Sequence, residues 1–393
     1  MLVIENGMVW TGKSGKPVPR TIVIEGCKIA GVYEPGSAPP FPQGSERFDA
    51  SGKTVVPGLI DCHVHFCMDA GADPMTAAVR DGTLVTAYKA AVRAGQTLKA
   101  GVTTIRDLGA PDGIDLALKK SINSGILPGP RMLVSGRVIC MTGGHGWTMG
   151  YEADGPDECR KAARSQIKAG ADVVKVMATG GVMTQGVEPG SPQLTVEEMR
   201  AAVEEGHKAG RRCATHAQGL LGIKNAVQAG IDSVEHGVFL DREAVDMMLE
   251  RGTYLVPTLS APYNIIKNGV AAGVPEFVVR KTEMVYDSHI NSFKLALENG
   301  VKIASGTDAG TPFNVHGDLA VELKLMVDAG MPAEKALVSA TQTAAELLGM
   351  QDHVGSIEPG KFADILVVDG DPTQDITSLQ RVVAVFKDGK RVA

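Results

Sequence analysis

The middle of the chain alternates short β-branched or apolar runs with longer amphipathic segments such as VEEMRAAVEEGHKAG. Strands that alternate with helices in this way form parallel βα units. Eight such units in succession predict an α/β fold, specifically a TIM-like (β/α)8 barrel. The eight strand candidates are residues 55–63, 103–109, 131–136, 172–181, 213–217, 233–237, 253–258 and 302–308.

Both ends of the chain differ from this middle part. TIVIEGCKIAGVYE near the start and KFADILVVDGDP near the end are strand and turn patterns with no helix between them. A small β-sandwich built jointly from both ends would account for these patterns. We therefore predict a composite β-sandwich from residues 1–56 and 355–393, and a barrel from residues 57–354. A length of 393 residues accommodates both units.

Composition limits the partners and the compartment. The formal net charge is −6 and no basic stripe is visible, which argues against nucleic acid and anionic membrane surfaces as partners. No stretch is apolar for long enough to span a bilayer, and the first residues lack the pattern of a signal peptide. The six cysteines are scattered and form no CxxC pair, which is typical of reduced thiols. We expect a cytoplasmic protein.

Polar side chains stand where several of the predicted strands end, and in a barrel those ends meet at one mouth. The first strand ends in His63-Val64-His65, and residues two apart on a strand share a face, so both imidazoles can point the same way. A single histidine at a strand end is more often structural, so the metal hypothesis depends on the whole set. The candidate ligands are His63, His65, Lys175, His216, His236 and Asp308.

Lys175 is the most unusual member of this set. Bound metal ions would repel a cationic ammonium group, and a buried lysine readily loses its proton. A neutral lysine amine can react with CO2 to form a carbamate, an anionic ligand that could bridge two metal ions about 3.5–4 Å apart. The alternative is a lysine that pairs with an acid at the barrel mouth. Without the neighbouring histidines, that alternative would be preferred.

The segments PGLIDCHVHF, VVKVMATGG, SGTDAGTP and GSIEPGKFADILVVDGDP, with the THA and EHG strand ends, resemble the amidohydrolase superfamily. The resemblance spans nearly the whole chain. It points to a binuclear-metal branch, related to imidazolonepropionase, of prolidase-like and carboxypeptidase-like enzymes. These enzymes cleave Xaa-Pro or Xaa-Arg/Lys dipeptides and N-acyl amino acids. The resemblance therefore implies a hydrolase with a dipeptide or an N-acyl amino acid as its small-molecule substrate.

The same resemblance implies two divalent metal ions, most often zinc, and divides the candidate ligands between them. A hydroxide that bridges the ions would attack a carbonyl polarised by the second ion. Asp308 would move the water proton to the leaving amine. The implied sets are His63 and His65 with Asp308 for the first ion, His216 and His236 for the second, and carboxylated Lys175 as the bridge.

Four further residues are candidates for contact with the substrate. His145 lies in a TGGH setting that related dipeptidases share, and we expect it to stabilise the oxyanion, although an exposed loop residue is the alternative. Gln218 stands where some proline-releasing relatives have a tyrosine that contacts the substrate carboxylate. This departure argues against prolidase specificity. Tyr263 and His316 follow predicted strands seven and eight and could approach the substrate from loops.

Other functions remain open on the sequence alone. A lactonase or phosphotriesterase could use the same metal centre for ester hydrolysis. A single-metal deaminase fits less well, because no acid follows His216 closely and Lys175 would have no role. An inactive amidohydrolase-like scaffold should have lost ligands, whereas all six are present. A homo-oligomer is compatible with a barrel of this kind. The working hypothesis is hydrolysis of an amide C–N bond.

Overall fold

The structure is a computed structural model and describes residues 1–13 and 15–393. The strands are β1 (Leu2–Val9), β2 (Val18–Glu25), β3 (Lys28–Tyr33), β4 (Glu46–Asp49), β5 (Thr54–Pro57), β6 (Leu59–Val64), β7 (Val102–Asp107), β8 (Arg131–Val134), β9 (Val138–Cys140), β10 (Gly150–Glu152), β11 (Val173–Met177), β12 (Arg212–Ala217), β13 (Ser233–His236), β14 (Tyr254–Val256), β15 (Ile365–Val368), β16 (Val382–Lys387) and β17 (Lys390–Arg391).

Helices lie between most of these strands. The α-helices are α1 (Pro74–Lys99), α2 (Ile114–Asn123), α3 (Pro156–Ala169), α4 (Val196–Lys208), α5 (Leu220–Ala229), α6 (Arg242–Arg251), α7 (Ser260–Asn268), α8 (Glu276–Glu298), α9 (Leu319–Asp328), α10 (Ala333–Ser339) and α11 (Gln342–Leu347). Short 3-10 helices span Pro111–Gly113, Trp147–Met149, Val270–Ala272 and Ile376–Gln380. Across residues 1–13 and 15–393, we find no helix that combines the length and the apolar character needed to cross a membrane.

The two ends of the chain meet in one eight-stranded sheet. Its order is β17-β16-β15-β5-β1-β2-β3, and β4 pairs with β1. The join is the antiparallel pairing of β15 with β5, in which Val367 lies opposite Val55. Alternate residues such as Ile4, Ile22 and Phe386 are buried in an apolar cluster of this sheet. The predicted division of the chain into residue ranges stays a prediction.

The middle of the chain is built from parallel strands, which confirms the α/β class. One sheet has the order β6-β7-β8 and the other β10-β9-β11-β12-β13-β14. The backbone of Asp172 donates to Val134 between the two sheets, and an isolated bridge joins Val64 to Ala309. Because the strands are divided into two sheets, closure of an eight-stranded barrel stays a prediction.

Two of the predicted strands take a different form. The run 55–63 is split between two sheets, because Pro57 lacks an N–H and Gly58 approaches Thr103 too closely for any side chain. The run 302–308 forms only an isolated bridge at Ile303. Side chains bind part of its backbone in place of a strand ladder: the backbone N–H of Thr307, for example, donates to a buried Asp61 oxygen at 3.0 Å.

Candidate metal centre

The six candidate ligands surround one cavity at the carboxyl ends of the parallel strands. Their side chains are almost entirely removed from solvent, and the most exposed of them, that of Asp308, is 13% exposed. The cavity-lining ligands are His63 from β6, His65 directly after β6, Lys175 from β11, His216 from β12, His236 from β13, and Asp308, the last residue of the eighth predicted strand.

Three of these side chains form a compact group, which we call the first half-site: His63, His65 and Asp308. Their ligand atoms all lie within 4.8 Å of one another. The two Nε2 atoms are 3.2 Å apart, and each is 3.4 Å from Asp308 Oδ1. Two imidazole nitrogens and a carboxylate oxygen that converge in this way are a donor set that divalent zinc accepts.

The far nitrogens of both imidazoles in the first half-site are held by acceptors. His63 Nδ1 lies 3.0 Å from Glu235 Oε2, and His65 Nδ1 lies 3.0 Å from the carbonyl oxygen of Gly109. These acceptors keep the ring proton on Nδ1, which leaves the Nε2 lone pair directed at the compact group. Burial lowers the pKa of His65 to about 4 and that of His63 well below its ordinary value, so both rings are neutral and able to bind a cation.

The second half-site consists of His216 and His236, whose ring centroids are 4.5 Å apart. His236 Nδ1 lies 2.7 Å from the hydroxyl of Thr258, and His216 Nε2 lies 3.1 Å from the carbonyl oxygen of Gly180. Burial holds the pKa values of both imidazoles well below the ordinary value, so these rings are neutral as well. The supporting groups of the second half-site are therefore uncharged, unlike Glu235 beside the first.

Lys175 lines the same cavity as both half-sites and is 1% exposed. Its Nζ is buried, and it has no hydrogen-bond partner within residues 1–13 and 15–393. Burial lowers the pKa of its amine to about 8, although the carboxylate of Glu235 opposes that shift. An unpaired buried ammonium is costly, so this environment makes the neutral amine, which is the form that reacts with CO2, far more accessible near neutral pH than it is in an exposed lysine.

Backbone strain is concentrated at this site. His236, Thr258 and Asp308 have φ angles of 71°, 53° and 59°, in the left-handed region that side chains rarely adopt. Such strain persists only where the surrounding structure enforces it, and it is common at functional sites. Consecutive residues of a strand normally point to opposite faces of the sheet. The left-handed backbone at His236 breaks this alternation, so that Glu235 contacts His63 while His236 lines the metal cavity.

A buried network of charged side chains supports the first half-site through its contact with His63. Glu235 Oε1 accepts hydrogen bonds from Arg106 Nη2 at 2.8 Å and from the hydroxyl of Ser233 at 2.6 Å, while its other oxygen contacts His63. Both Arg106 and Glu235 are fully buried. Neither residue is among the candidates predicted from the sequence. Glu235 directly precedes His236, and this position could have indicated it. Arg106 lies more than a hundred residues before Glu235, and no sequence pattern connects the two.

The four predicted substrate residues divide into two pairs. His145 and Gln218 line the metal cavity. His145 Nδ1 lies 2.8 Å from the hydroxyl of Thr184, and burial lowers the pKa of the ring to about 3. Tyr263 and His316 are not among the residues that line this cavity. The imidazole of His316 is instead bound to the carbonyl oxygen of Met68 at 2.8 Å.

Comparisons with known proteins identify a family and several relatives of this chain. A sequence model of the amidohydrolase family matches residues 54–392. Ochratoxinase of Aspergillus niger is 31% identical over 99% of this chain and 86% of its own length. A solved Xaa-Pro dipeptidase with methionine bound in its active site is 37% identical, with a TM-score of 0.90 over 99% of both chains. A solved prolidase complexed with N-methylphosphonate-L-proline is 30% identical, with a TM-score of 0.92 over 99% of this chain and 98% of its own.

Proposed function

Because the chain belongs to the amidohydrolase family and is a hydrolase of C–N bonds, we propose that it cleaves a dipeptide or an N-acyl amino acid with two bound divalent metal ions. The observation that carries the proposal is the buried, unpartnered amine of Lys175 among four neutral imidazoles and a carboxylate. A scaffold without activity is not retained, since all six candidate ligands are present and the relatives named above are enzymes.

The residues present fit such a centre. In our proposal the first half-site holds one ion and the second half-site holds the other, with carboxylated Lys175 as the shared anionic ligand. The lysine carbamate would give its buried terminus the partners that it otherwise lacks. It would also balance part of the positive charge of two divalent ions in a water-poor cavity. Zinc suits the mixture of imidazole and carboxylate ligands.

When bound, the ions would supply Lewis acidity and lower the pKa of a nearby water toward about 7. Asp308 would accept the proton of the attacking water as the new C–O bond forms. The same carboxyl group would then give that proton to the leaving nitrogen as the C–N bond breaks. Burial raises the pKa of Asp308 to about 8 in the site without cations. Two bound cations would lower this pKa again, so that the carboxylate could accept the proton and then return it.

In our proposal, His145 stabilises the carbonyl oxygen of the substrate. In the tautomer that serves this role, the hydroxyl of Thr184 donates to Nδ1, and the ring proton remains on Nε2. A hypothetical side chain at Gly181 would lie 2.6 Å from that Nε2, so the glycine leaves the ring space at the cavity. Because the pKa of His145 is about 3, the ring would donate as a neutral group.

The proposal is tested with zinc-loaded protein and a panel of dipeptides, N-acyl amino acids and lactones. We expect release of free amine from amides and two zinc ions per chain by elemental analysis. Turnover of lactones alone would overturn the amide assignment. Lys175→Ala should lose at least one zinc ion and the activity, whereas Lys324→Ala, a change at an exposed lysine, should keep both. A Lys175→Ala variant with two ions and full activity would refute the bridging role.

A further inference from the structure

A second cavity lies beside the metal cavity along the first turns of α1. The two cavities share three lining residues: Met68, Met75 and Met149. Methionine side chains are flexible and unbranched, and they repack easily around a ligand. The partition between the two cavities is therefore deformable, and a substrate can extend from one cavity into the other.

The second cavity is predominantly apolar. One carboxylate borders it, that of Asp112, and both of its oxygens are engaged: Arg137 Nη2 lies 2.6 Å from one oxygen, and the Thr83 hydroxyl donates to the other at 2.6 Å. A charged ligand would therefore find no free partner charge among the described lining residues. The remaining lining includes Cys67, Ala78, Val79, Thr86, Ile114 and Met149.

Two local features indicate that this cavity receives a ligand. The hydroxyl of Thr148 borders it and is buried, yet it has no hydrogen-bond partner within the described part of the chain. Helix α1 is also interrupted there, because Gly82 has a φ of 69° and a non-helical ψ of 174°. Gly82 is exposed, and a side chain at this position would meet nothing within 4 Å, so the break in the helix leaves the cavity open to solvent on that side. A ligand could enter there.

We infer that the second cavity binds a bulky apolar group of the substrate, at least the size of a phenyl ring, while the scissile amide lies at the metal centre. This inference rests on the proposed function, because it assumes that the first cavity holds the amide. The shared methionines would contact the atoms that connect the amide to the apolar group. A substrate with only small groups next to the amide would leave this cavity empty and lose the corresponding contacts.

Three amides test the inference by kinetics: N-acetylglycine, N-acetylphenylalanine and phenylacetylglycine, which place a phenyl ring on neither side, on the amine side or on the acyl side. We expect kcat/KM for at least one of the phenyl compounds to exceed that of N-acetylglycine by about tenfold or more. Ala78→Phe would fill the second cavity and abolish this preference, while hydrolysis of N-acetylglycine stays within about twofold. Val92→Phe is the control, since it adds the same ring at an exposed position of α1.

Binding of 3-phenylpropanol, which has no bond to hydrolyse, separates this inference from the proposed function. We expect calorimetry to show binding to the wild type and to Val92→Phe, and at least about fivefold weaker binding to Ala78→Phe. If amides are cleaved but Ala78→Phe changes neither the preference nor the binding, the inference is wrong and the proposed function stands. If no amide is cleaved while Ala78→Phe still blocks 3-phenylpropanol, the proposed function fails and the apolar site stands. An Ala78→Phe protein that does not fold is replaced by Thr86→Leu, which adds bulk at the same cavity.

Discussion

The two half-sites use the same imidazole chemistry but are supported in different ways. In the first half-site, three ligand atoms already lie within 4.8 Å of one another, and His63 is held by a fully buried carboxylate. In the second half-site, His236 is held by the hydroxyl of Thr258, and the Nε2 of His216 lies against a backbone carbonyl. One imidazole of the first half-site is thus held by a buried charge, whereas both imidazoles of the second are held by neutral groups.

This difference predicts that the two ions are not equivalent. A ligand that is oriented by a charged hydrogen-bond partner is more basic and binds a cation more strongly than one oriented by a hydroxyl. We therefore expect the ion of the first half-site to be retained longer against a chelator than the ion of the second. Four substitutions test this comparison, and we expect their effects on activity or zinc affinity to decrease from Asp308→Asn through Gly181→Ala and Glu235→Gln to Thr258→Val.

Asp308→Asn should have the largest effect, because Asp308 is both a proposed ligand and the proposed proton carrier. We expect kcat/KM to fall by about 100- to 10,000-fold, together with loss of zinc from the first half-site. Asp328→Asn, at an exposed carboxylate, is the control and should behave like the wild type. Amide hydrolysis assays and elemental analysis provide the measurements. Activity within tenfold of the wild type would show that another group carries the proton.

Gly181→Ala disturbs the second half-site and His145, but not the first half-site. The added methyl group would lie 2.6 Å from His145 Nε2 and 2.9 Å from His216 Nε2, so both rings must move. A displacement of about 1 Å at a reacting group costs on the order of 100-fold in rate. We expect a loss of that size in kcat, with one zinc ion retained. Gly95→Ala is the control, since its methyl group would have one neighbour within 4 Å, at 3.9 Å. Loss of both ions from Gly181→Ala would contradict the independence of the half-sites.

Most of the candidate metal centre could be predicted from the sequence, because its ligands occupy equivalent positions in successive strands. His63, Lys175 and His216 each lie on a parallel strand toward its carboxyl end, and in this fold the carboxyl ends converge regardless of loop length or sequence. The alternation of strands and helices likewise made the α/β class predictable. These are local patterns, and each can be read within a few residues.

The supporting network could not be predicted, because its contacts join distant parts of the chain. Arg106 reaches Glu235 across 129 residues, and no local pattern marks that pairing. The irregular backbone of residues 302–308 escaped prediction for the same reason: the pattern of this run is typical of a strand, but the backbone amide of Thr307 donates to the side chain of Asp61, which lies 246 residues earlier in the sequence. Tertiary contacts that override local preference are invisible to pattern analysis.

Glu235→Gln tests the charged support of the first half-site. Removal of the charge weakens the hold on His63, and we expect zinc affinity at that half-site to fall by about 10- to 100-fold. It also leaves Arg106 buried without a counter-ion, which should destabilise the fold by about 3–5 kcal/mol. Arg106→Gln breaks the same ion pair and is therefore the matched variant for stability. Zinc competition and thermal unfolding separate the two effects. If Arg106→Gln lowers zinc affinity as much as Glu235→Gln, general destabilisation would explain both results.

Thr258→Val is the counterpart of Glu235→Gln at the second half-site. Valine has the branched shape of threonine, so the substitution removes the hydroxyl with little change in volume, and His236 Nδ1 loses its hydrogen-bond partner. A neutral partner contributes less than a charged one, so we expect zinc affinity to fall by about tenfold at the second half-site and to stay unchanged at the first. Stepwise zinc titration against a chromophoric chelator resolves the two affinities. Thr97→Val makes the same exchange at a buried hydroxyl that has no partner among the described residues, and it should change neither affinity. Equal weakening of both ions in Thr258→Val would mean that the half-sites bind as one unit, and the contrast between charged and neutral support would then have no consequence for metal binding.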